Sequence, residues 1–150
     1  FNLFQLSGKA KLNKAVQILP LPKKFDEVKA GTVCNTAGWG STEKDNVKLP
    51  DKLMAVSLTA ISRKECHNKW KSRLNITKNM MCTFDARGKK AVCNGDSGGP
   101  LICDKMFRGI VSFGSKPCAD PKLPNVYTFL TKDYVNWINK EINSEANTVY

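Results

Sequence analysis

The stretch Cys93-Asn94-Gly95-Asp96-Ser97-Gly98-Gly99-Pro100-Leu101 sets a single serine between glycines on both sides. Glycine tolerates positive φ and close backbone approach, so this segment is expected to turn tightly and to let a substrate carbonyl come near the chain. Such a turn can aim two backbone N–H groups, those of Gly95 and Ser97, at one point. Two converging donors make an oxyanion hole, which acyl transfer requires. The plain alternative is a Gly-rich hairpin turn that merely contains a serine, and the order of all nine residues argues against it. Ser97 is the candidate nucleophile.

Around this segment lie short runs of β type at fairly regular intervals: Gly31–Trp39, Lys52–Leu58, Met80–Phe84, Pro100–Cys103, Phe107–Phe113 and Asn125–Phe129. Gly, Pro, Asn, Asp or Lys clusters bound each of them. Six such strands suggest a sandwich or a small closed barrel. Two segments read as helical. Ser62–Trp70 opens with Ser62 as N-cap and Glu65 three residues on, a capping-box pattern. Thr131–Ile142 has Thr131 as its cap, with Tyr134, Val135, Ile138 and Ile142 on one face. Residues 7–25, with five lysines and Pro20 and Pro22, read as an extended surface connection, and residues 144–150 as a frayed tail. The expectation is an all-β core closed by a C-terminal helix.

The chain has 150 residues, enough for one domain and too few for two of ordinary size. Its hydrophobic fraction of 41 % is that of a globular protein, and no apolar run reaches the roughly 18 residues of a membrane span. Cys34, Cys66, Cys82, Cys93, Cys103 and Cys118 include no Cys-x-x-Cys pair, and His67 is the only histidine, which speaks against zinc or any other metal site. Six separated cysteines fit disulfides made in the secretory pathway. The sequon Asn75-Ile76-Thr77 agrees, with Asn75 as the glycosylation candidate.

The nine-residue segment resembles the nucleophile motif of the chymotrypsin-like serine proteases. Cys34-Asn35-Thr36-Ala37-Gly38-Trp39-Gly40 is similar to the family's Cys-x-x-x-Gly-Trp-Gly strand. Met81-Cys82, Ile110-Val111-Ser112-Phe113-Gly114, Pro124-Asn125-Val126-Tyr127-Thr128 and the Trp137-Ile138 helix follow in the family's order. Ala10-Lys11-Leu12-Asn13-Lys14, Leu21-Pro22-Lys23-Lys24 and Phe107-Arg108-Gly109 resemble the granzyme A and granzyme K branch in particular.

The resemblance implies the second, six-stranded Greek-key barrel of a double β-barrel, with its C-terminal α-helix. Residues 1–30 would be the interdomain connection with a remnant of the first barrel, 31–143 the barrel and helix, and 144–150 a tail. It implies that Ser97 attacks, that Gly95 and Ser97 donate the oxyanion hole, and that Asp96 pairs with the ammonium freed by zymogen cleavage. It also implies the disulfides Cys34–Cys103, Cys66–Cys82 and Cys93–Cys118. Ser112, Phe113 and Gly114 would pair with the substrate backbone by β-augmentation. Protein and peptide substrates, serpin-type inhibitors and no cofactor follow from the same likeness.

A serine hydroxyl needs an adjacent base. The family's Ala-Ala-His-Cys segment does not occur here, and His67 follows Cys66 in a polar helix that reads as surface. The family's aspartate would stand immediately before Phe1. The chain is therefore expected to be part of a longer protease and, tested alone, inactive.

Two positions depart from the granzyme A pattern. Tryptic members carry an aspartate six residues before the nucleophile, where this chain has Ala91, followed by Val92. A Lys or Arg side chain would be buried there without a counter-charge. Asn125 stands where the family usually has glycine and should narrow the pocket, which Asn94 also borders. The expected preference is for Leu, Met, Asn or Gln.

The formal net charge is +11. Its field favours polyanions, and the resemblance points to an acidic proteoglycan in a secreted or granule-stored setting. Nothing resembles a nucleic-acid-binding motif. Two functions of different class follow: part of a serine endopeptidase, or a non-catalytic cationic homologue that binds glycosaminoglycans or microbial surfaces.

Overall fold

In strand β1 (Val33–Gly38), Cys34 and Thr36 are buried while Val33 and Asn35 are exposed, so the two-residue period of a strand turns one face inward. The computed structural model describes residues 2–146. β1 is followed by β2 (Met54–Ile61), α1 (Arg63–Trp70), β3 (Met80–Phe84), β4 (Pro100–Cys103), β5 (Met106–Phe113), β6 (Asn125–Phe129) and α2 (Lys132–Ala146). The strands close a barrel in the order β1-β2-β3-β6-β5-β4, all neighbours antiparallel. The β3–β6 pair joins two sequence-local sets of strands, which is the Greek-key step, and Cys34 opposite Cys103 closes the ring through β1 and β4.

β3, β4 and β6 have the bounds expected from sequence. β2 differs: it begins at Met54 and runs on to Ile61. Its far end gains a second partner there, since Thr59, Ala60 and Ile61 face Phe84, Thr83 and Cys82 of β3. β4 and β5 are joined by Asp104 and Lys105, both at positive φ (50° and 62°), the turn geometry that matches the twist of a hairpin.

Two apolar clusters fill the structure. The larger lies inside the barrel and includes Leu58, Met81, Val92, Leu101, Val111 and Tyr127. The smaller lies beneath α1, where Cys66, Trp70, Ile76, Cys82 and Val126 pack with Phe113 against them. Trp70 meets Phe113 edge-on at 5.5 Å, and its indole N–H donates to Pro124 O at 3.2 Å. Cys34–Cys103, Cys66–Cys82 and Cys93–Cys118 are bonded, as the resemblance implied.

Ser62 caps α1 as expected, its Oγ accepting from Glu65 N at 3.1 Å. α2 departs from expectation at both ends. The Thr131 carbonyl accepts from Val135 N, but Thr131 Oγ1 is buried without a hydrogen-bond partner among the described residues, so the side-chain cap is not made. Val135 and Ile138 are buried whereas Ile142 is exposed, so the inward stripe ends at Ile138. The helix continues to Ala146, into the stretch read as a tail; residues 147–150 lie outside the described residues.

Residues 7–20 form the exposed connection that their lysines and prolines suggest. It joins the barrel at Pro22, which is buried, and at Phe25 and Val28, which are half-buried. Arg108 on β5 makes that attachment. This guanidinium, only 3 % exposed, donates from Nη1 to Lys24 O at 2.5 Å and from Nη2 to Asp26 O, and lies 5.3 Å from the Phe129 ring centroid.

Candidate active site

The turn carrying Ser97 is built around the carboxylate that precedes it. Asp96 Oδ1 accepts from Gly40 N at 2.9 Å, and Oδ2 accepts from Cys93 N at 2.9 Å. Ser41 N donates to Asn94 O at 2.8 Å, so the loop after β1 is sewn to the turn along its length. A Cβ on either Gly38 or Gly40 would overlap the Asp96 carboxylate. This is the physical reason for the two glycines of Gly38-Trp39-Gly40: the carboxylate occupies the space a side chain would need.

The turn itself uses positive φ at Gly95 (100°) and Gly98 (85°). A Cβ at Gly95 would sit 3.0 Å from Gly40 Cα, so the position is closed to a side chain by space and by conformation. Gly98 N donates to Val111 O and Val111 N to Gly99 O, each at 2.9 Å, which locks the turn onto β5. Ser97 is exposed. Among the described residues neither its Oγ nor the N–H groups of Gly95 and Ser97 have a hydrogen-bond partner. Gly95 is exposed as well, so the candidate nucleophile and the two candidate oxyanion donors stand on exposed residues of one turn, free of partners among the described residues.

Beside Ser97 a groove of about 170 Å³ is lined by Val92, Asn94, Ser112, Phe113 and Gly114, among others. Five of the seven residues assigned to substrate binding from sequence are brought together here. Asn125 stands behind the wall. It is 6 % exposed, and its Oδ1 would lie 3.0 Å from a Cβ on Gly114, so Gly114 is pressed against a buried amide. Ala91 lines a neighbouring cavity of about 300 Å³ that reaches Asp96, and Val92, Cys93 and Cys118 separate the two spaces. Residues 112–114 have β6 on one side, through Phe113 opposite Val126. On the other side β5 pairs with β4 as far as Pro100 opposite Ile110, and Val111 bonds Gly98 and Gly99, which leaves residues 112–114 without a strand partner there among the described residues.

Tyr127 passes beneath the site with its Oη 2.9 Å from Thr83 Oγ1. Burial pushes its phenol far above the ordinary range; the Thr83 bond opposes this and the Asp96 charge adds to it. His67 is placed elsewhere. It is half-buried on α1, not a free surface group, and its Nδ1 accepts from Ile76 N at 3.4 Å. Asn75 is exposed in the loop after α1. Among the described residues no cluster of three or more His, Cys, Asp or Glu could hold a metal ion, and no helix is long and apolar enough to cross a membrane.

Sequence reasoning missed Arg108 and Asp85. An arginine between apolar strand residues reads as solvent-facing, and only the carbonyls of a distant segment explain its burial. Asp85 accepts from the N–H groups of Arg87, Lys89 and Lys90, so it folds the basic loop that leads into Ala91. The run Asp-x-Arg-Gly-Lys-Lys was the available signal, an aspartate capping its own turn.

Comparison with known proteins agrees with this geometry. The family model described as Trypsin matches residues 1–138. Granzyme A of Bos taurus is 46 % identical over 142 residues, covering 93 % of this chain and 54 % of its own length. Submandibular glandular kallikrein-3 of Rattus norvegicus is 41 % identical over 143 residues, covering 95 % of this chain and 73 % of its own. Among solved structures, neuropsin, a serine protease expressed in the limbic system of mouse brain, superposes with a TM-score of 0.81 at 34 % identity. That match covers 91 % of this chain and 58 % of neuropsin. The chain thus spans about half the length of granzyme A. It belongs to the trypsin family of chymotrypsin-like serine proteases.

Proposed function

We propose that this chain is the nucleophile-bearing half of a secreted or granule-stored serine endopeptidase. The observation that carries the reading is the Ser97 turn: an exposed hydroxyl beside two N–H groups free of internal partners, on a backbone pinned through Asp96. Ser97 Oγ attacks the substrate carbonyl carbon while a histidine of the first barrel takes the hydroxyl proton. The carbonyl electrons move to oxygen, and the Gly95 and Ser97 N–H groups hold that oxyanion. Collapse expels the amine, which takes the proton back, and water releases the acyl group from Ser97. Asp96, next to the 300 Å³ cavity, receives the ammonium created by zymogen cleavage.

A two-barrel parent also accounts for the apolar surface. Phe4, Leu6, Ile18, Trp39 and Leu49 are all more than half exposed, a pattern that marks a surface for burial against another domain.

Ala91, in the adjoining cavity behind Val92 and Cys93, offers no carboxylate to a Lys or Arg side chain, and Asn125 crowds the wall at Gly114, so the primary pocket takes Leu, Met, Asn or Gln. The disulfides and the exposed Asn75 suit an oxidising, glycosylating compartment. The +11 charge suits a sulfated glycosaminoglycan, and peptide substrates and serpin-type inhibitors would approach along residues 112–114. The test is peptide-library cleavage by the two-barrel protein and by its Ser97→Ala form. Activity abolished by the substitution, with little cleavage after Lys or Arg, is expected. Heparin binding with no Ser97-dependent cleavage would move the function to a cationic binding protein.

A further inference from the structure

The groove beside Ser97 does not end at Gly114. Ser115, Lys116 and Cys118 continue its lining. Lys116 is exposed and forms no ion pair among the described residues, where it is the single Lys, Arg, Asp or Glu of the lining. Its nearest acidic neighbour in sequence, Asp120, is turned to its own loop, with Oδ1 accepting from Lys122 N at 2.6 Å.

The segment holding Lys116 is fixed. Ser115 Oγ donates to Pro117 O at 2.7 Å and accepts from Asp120 N at 3.2 Å, and Cys118 is tied to Cys93. The backbone that carries this cation is therefore held at a set place on the groove wall, beyond Gly114 along the chain.

We propose that Lys116 is a specificity-determining residue that recognises an acidic substrate side chain on the acyl side of the scissile bond. The proposal rests on the peptidase reading of Ser97 and deepens it. A peptide laid antiparallel on residues 112–114, with its carbonyl at Gly95 and Ser97, runs towards its N-terminus as it passes Gly114. Three peptide residues at about 3.3 Å each cover residues 112–114, and the long side chain of Lys116, rooted two residues beyond Gly114, reaches back to the third or fourth residue before the scissile bond. An Asp or Glu there meets the unpaired ammonium. A Lys or Arg meets a like charge, and no carboxylate on the groove relieves it.

The test assays the mature protease on peptides identical except for Glu, Gln or Lys at the third residue before the cleaved bond. Binding of the same peptides to the Ser97→Ala form is followed by fluorescence anisotropy. kcat/KM is expected to fall in the order Glu, Gln, Lys, by roughly fivefold to tenfold across the series at low salt. The spread should shrink below about twofold at 1 M salt, where the screening length is about 3 Å. Lys116→Gln flattens the series and Lys116→Glu inverts it. Equal ratios in the native and Lys116→Gln proteins overturn the proposal. If no peptide is cleaved, yet the anisotropy series keeps the Glu-over-Lys order and Lys116→Gln removes it, the peptidase reading fails and the acid-selective groove stands. Absence of both cleavage and discrimination overturns both.

Discussion

Asp96 and Gly40 share one space: the Asp96 carboxylate accepts the Gly40 N–H at 2.9 Å and fills the volume that a Gly40 side chain would occupy. The neighbour that would have to give way is the carboxylate itself, which also holds Cys93 N. The Gly-Trp-Gly segment and the serine turn are thus one unit, although 56 residues separate Gly40 from Asp96.

Gly40→Ala should therefore push Asp96 out of place and release the 93–97 turn. Overpacking of this kind costs about 1–3 kcal/mol, and two hydrogen bonds to a charged group are weakened with it. Urea unfolding is expected to show a loss of about 3 kcal/mol, whereas Gly8→Ala, which meets nothing within 4 Å, should leave the midpoint unchanged. Equal midpoints for the two variants would show that the carboxylate is not confined there.

Arg108→Met keeps much of the length and apolar stem of the side chain but removes both donors to the connection. The carbonyls of Lys24 and Asp26 then lose these partners, at a cost of about 2–4 kcal/mol together. The loss should be local. Hydrogen exchange or limited proteolysis is expected to show residues 21–28 opening, with the barrel strands still protected. Protection of 21–28 unchanged by Arg108→Met would mean that Pro22, Phe25 and Val28 hold the connection unaided.

Arg108 also shows where sequence stopped being legible. β3, β4 and β6 could be read to the residue because turn-forming residues bound them closely. β2 could not, because its extension to Ile61 is decided by pairing with β3, where Ile61 faces Cys82 from well outside its own stretch of sequence. The serine turn was visible because its chemistry is local and its three glycines fall within five residues, on both sides of Ser97. The cradle at Gly38 and Gly40 has no local sign of its purpose, and Asn125 carries none of its contact with Gly114. Ile142 repeats the helical period of Val135 and Ile138 yet finds no surface to cover. Local pattern identifies what a residue could do; only the closed barrel decides which residues meet.

Asp85 gives a pH dependence whose sign is fixed. Burial alone raises its pKa, but the Lys89 N–H, the Arg87 side chain and backbone and the Arg87 charge outweigh it and hold the carboxyl below its ordinary value. A carboxyl depressed in the folded state stabilises fully above its unfolded pKa of about 3.9 and loses that stabilisation as pH falls through the folded value. Asp85→Asn keeps one acceptor oxygen but loses the charge and the second acceptor, and should therefore cost about 1 kcal/mol near pH 7, the size of a lost hydrogen bond. The gap between native and variant unfolding free energies should close progressively below about pH 4. A gap that stays constant down to pH 2 would place the contribution in packing, not in charge.

Asn125→Gly separates two causes of pocket specificity that act together in the native chain. Removing the amide relieves the crowding behind Gly114, where Asn125 Oδ1 stands 3.0 Å from a Cβ position, so the groove wall can recede. Larger apolar side chains such as Phe and Tyr should then gain on Leu by about tenfold in kcat/KM, the range expected for a small change in pocket volume. Cleavage after Lys or Arg should stay low, because widening supplies no counter-charge and an unpaired buried cation remains costly. Adding Ala91→Asp to Asn125→Gly is expected to raise it, since that carboxylate restores the charge found in tryptic members. If Asn125→Gly alone produced strong cleavage after Arg, crowding and not charge would be what excludes cations, and the role argued for Ala91 would fall.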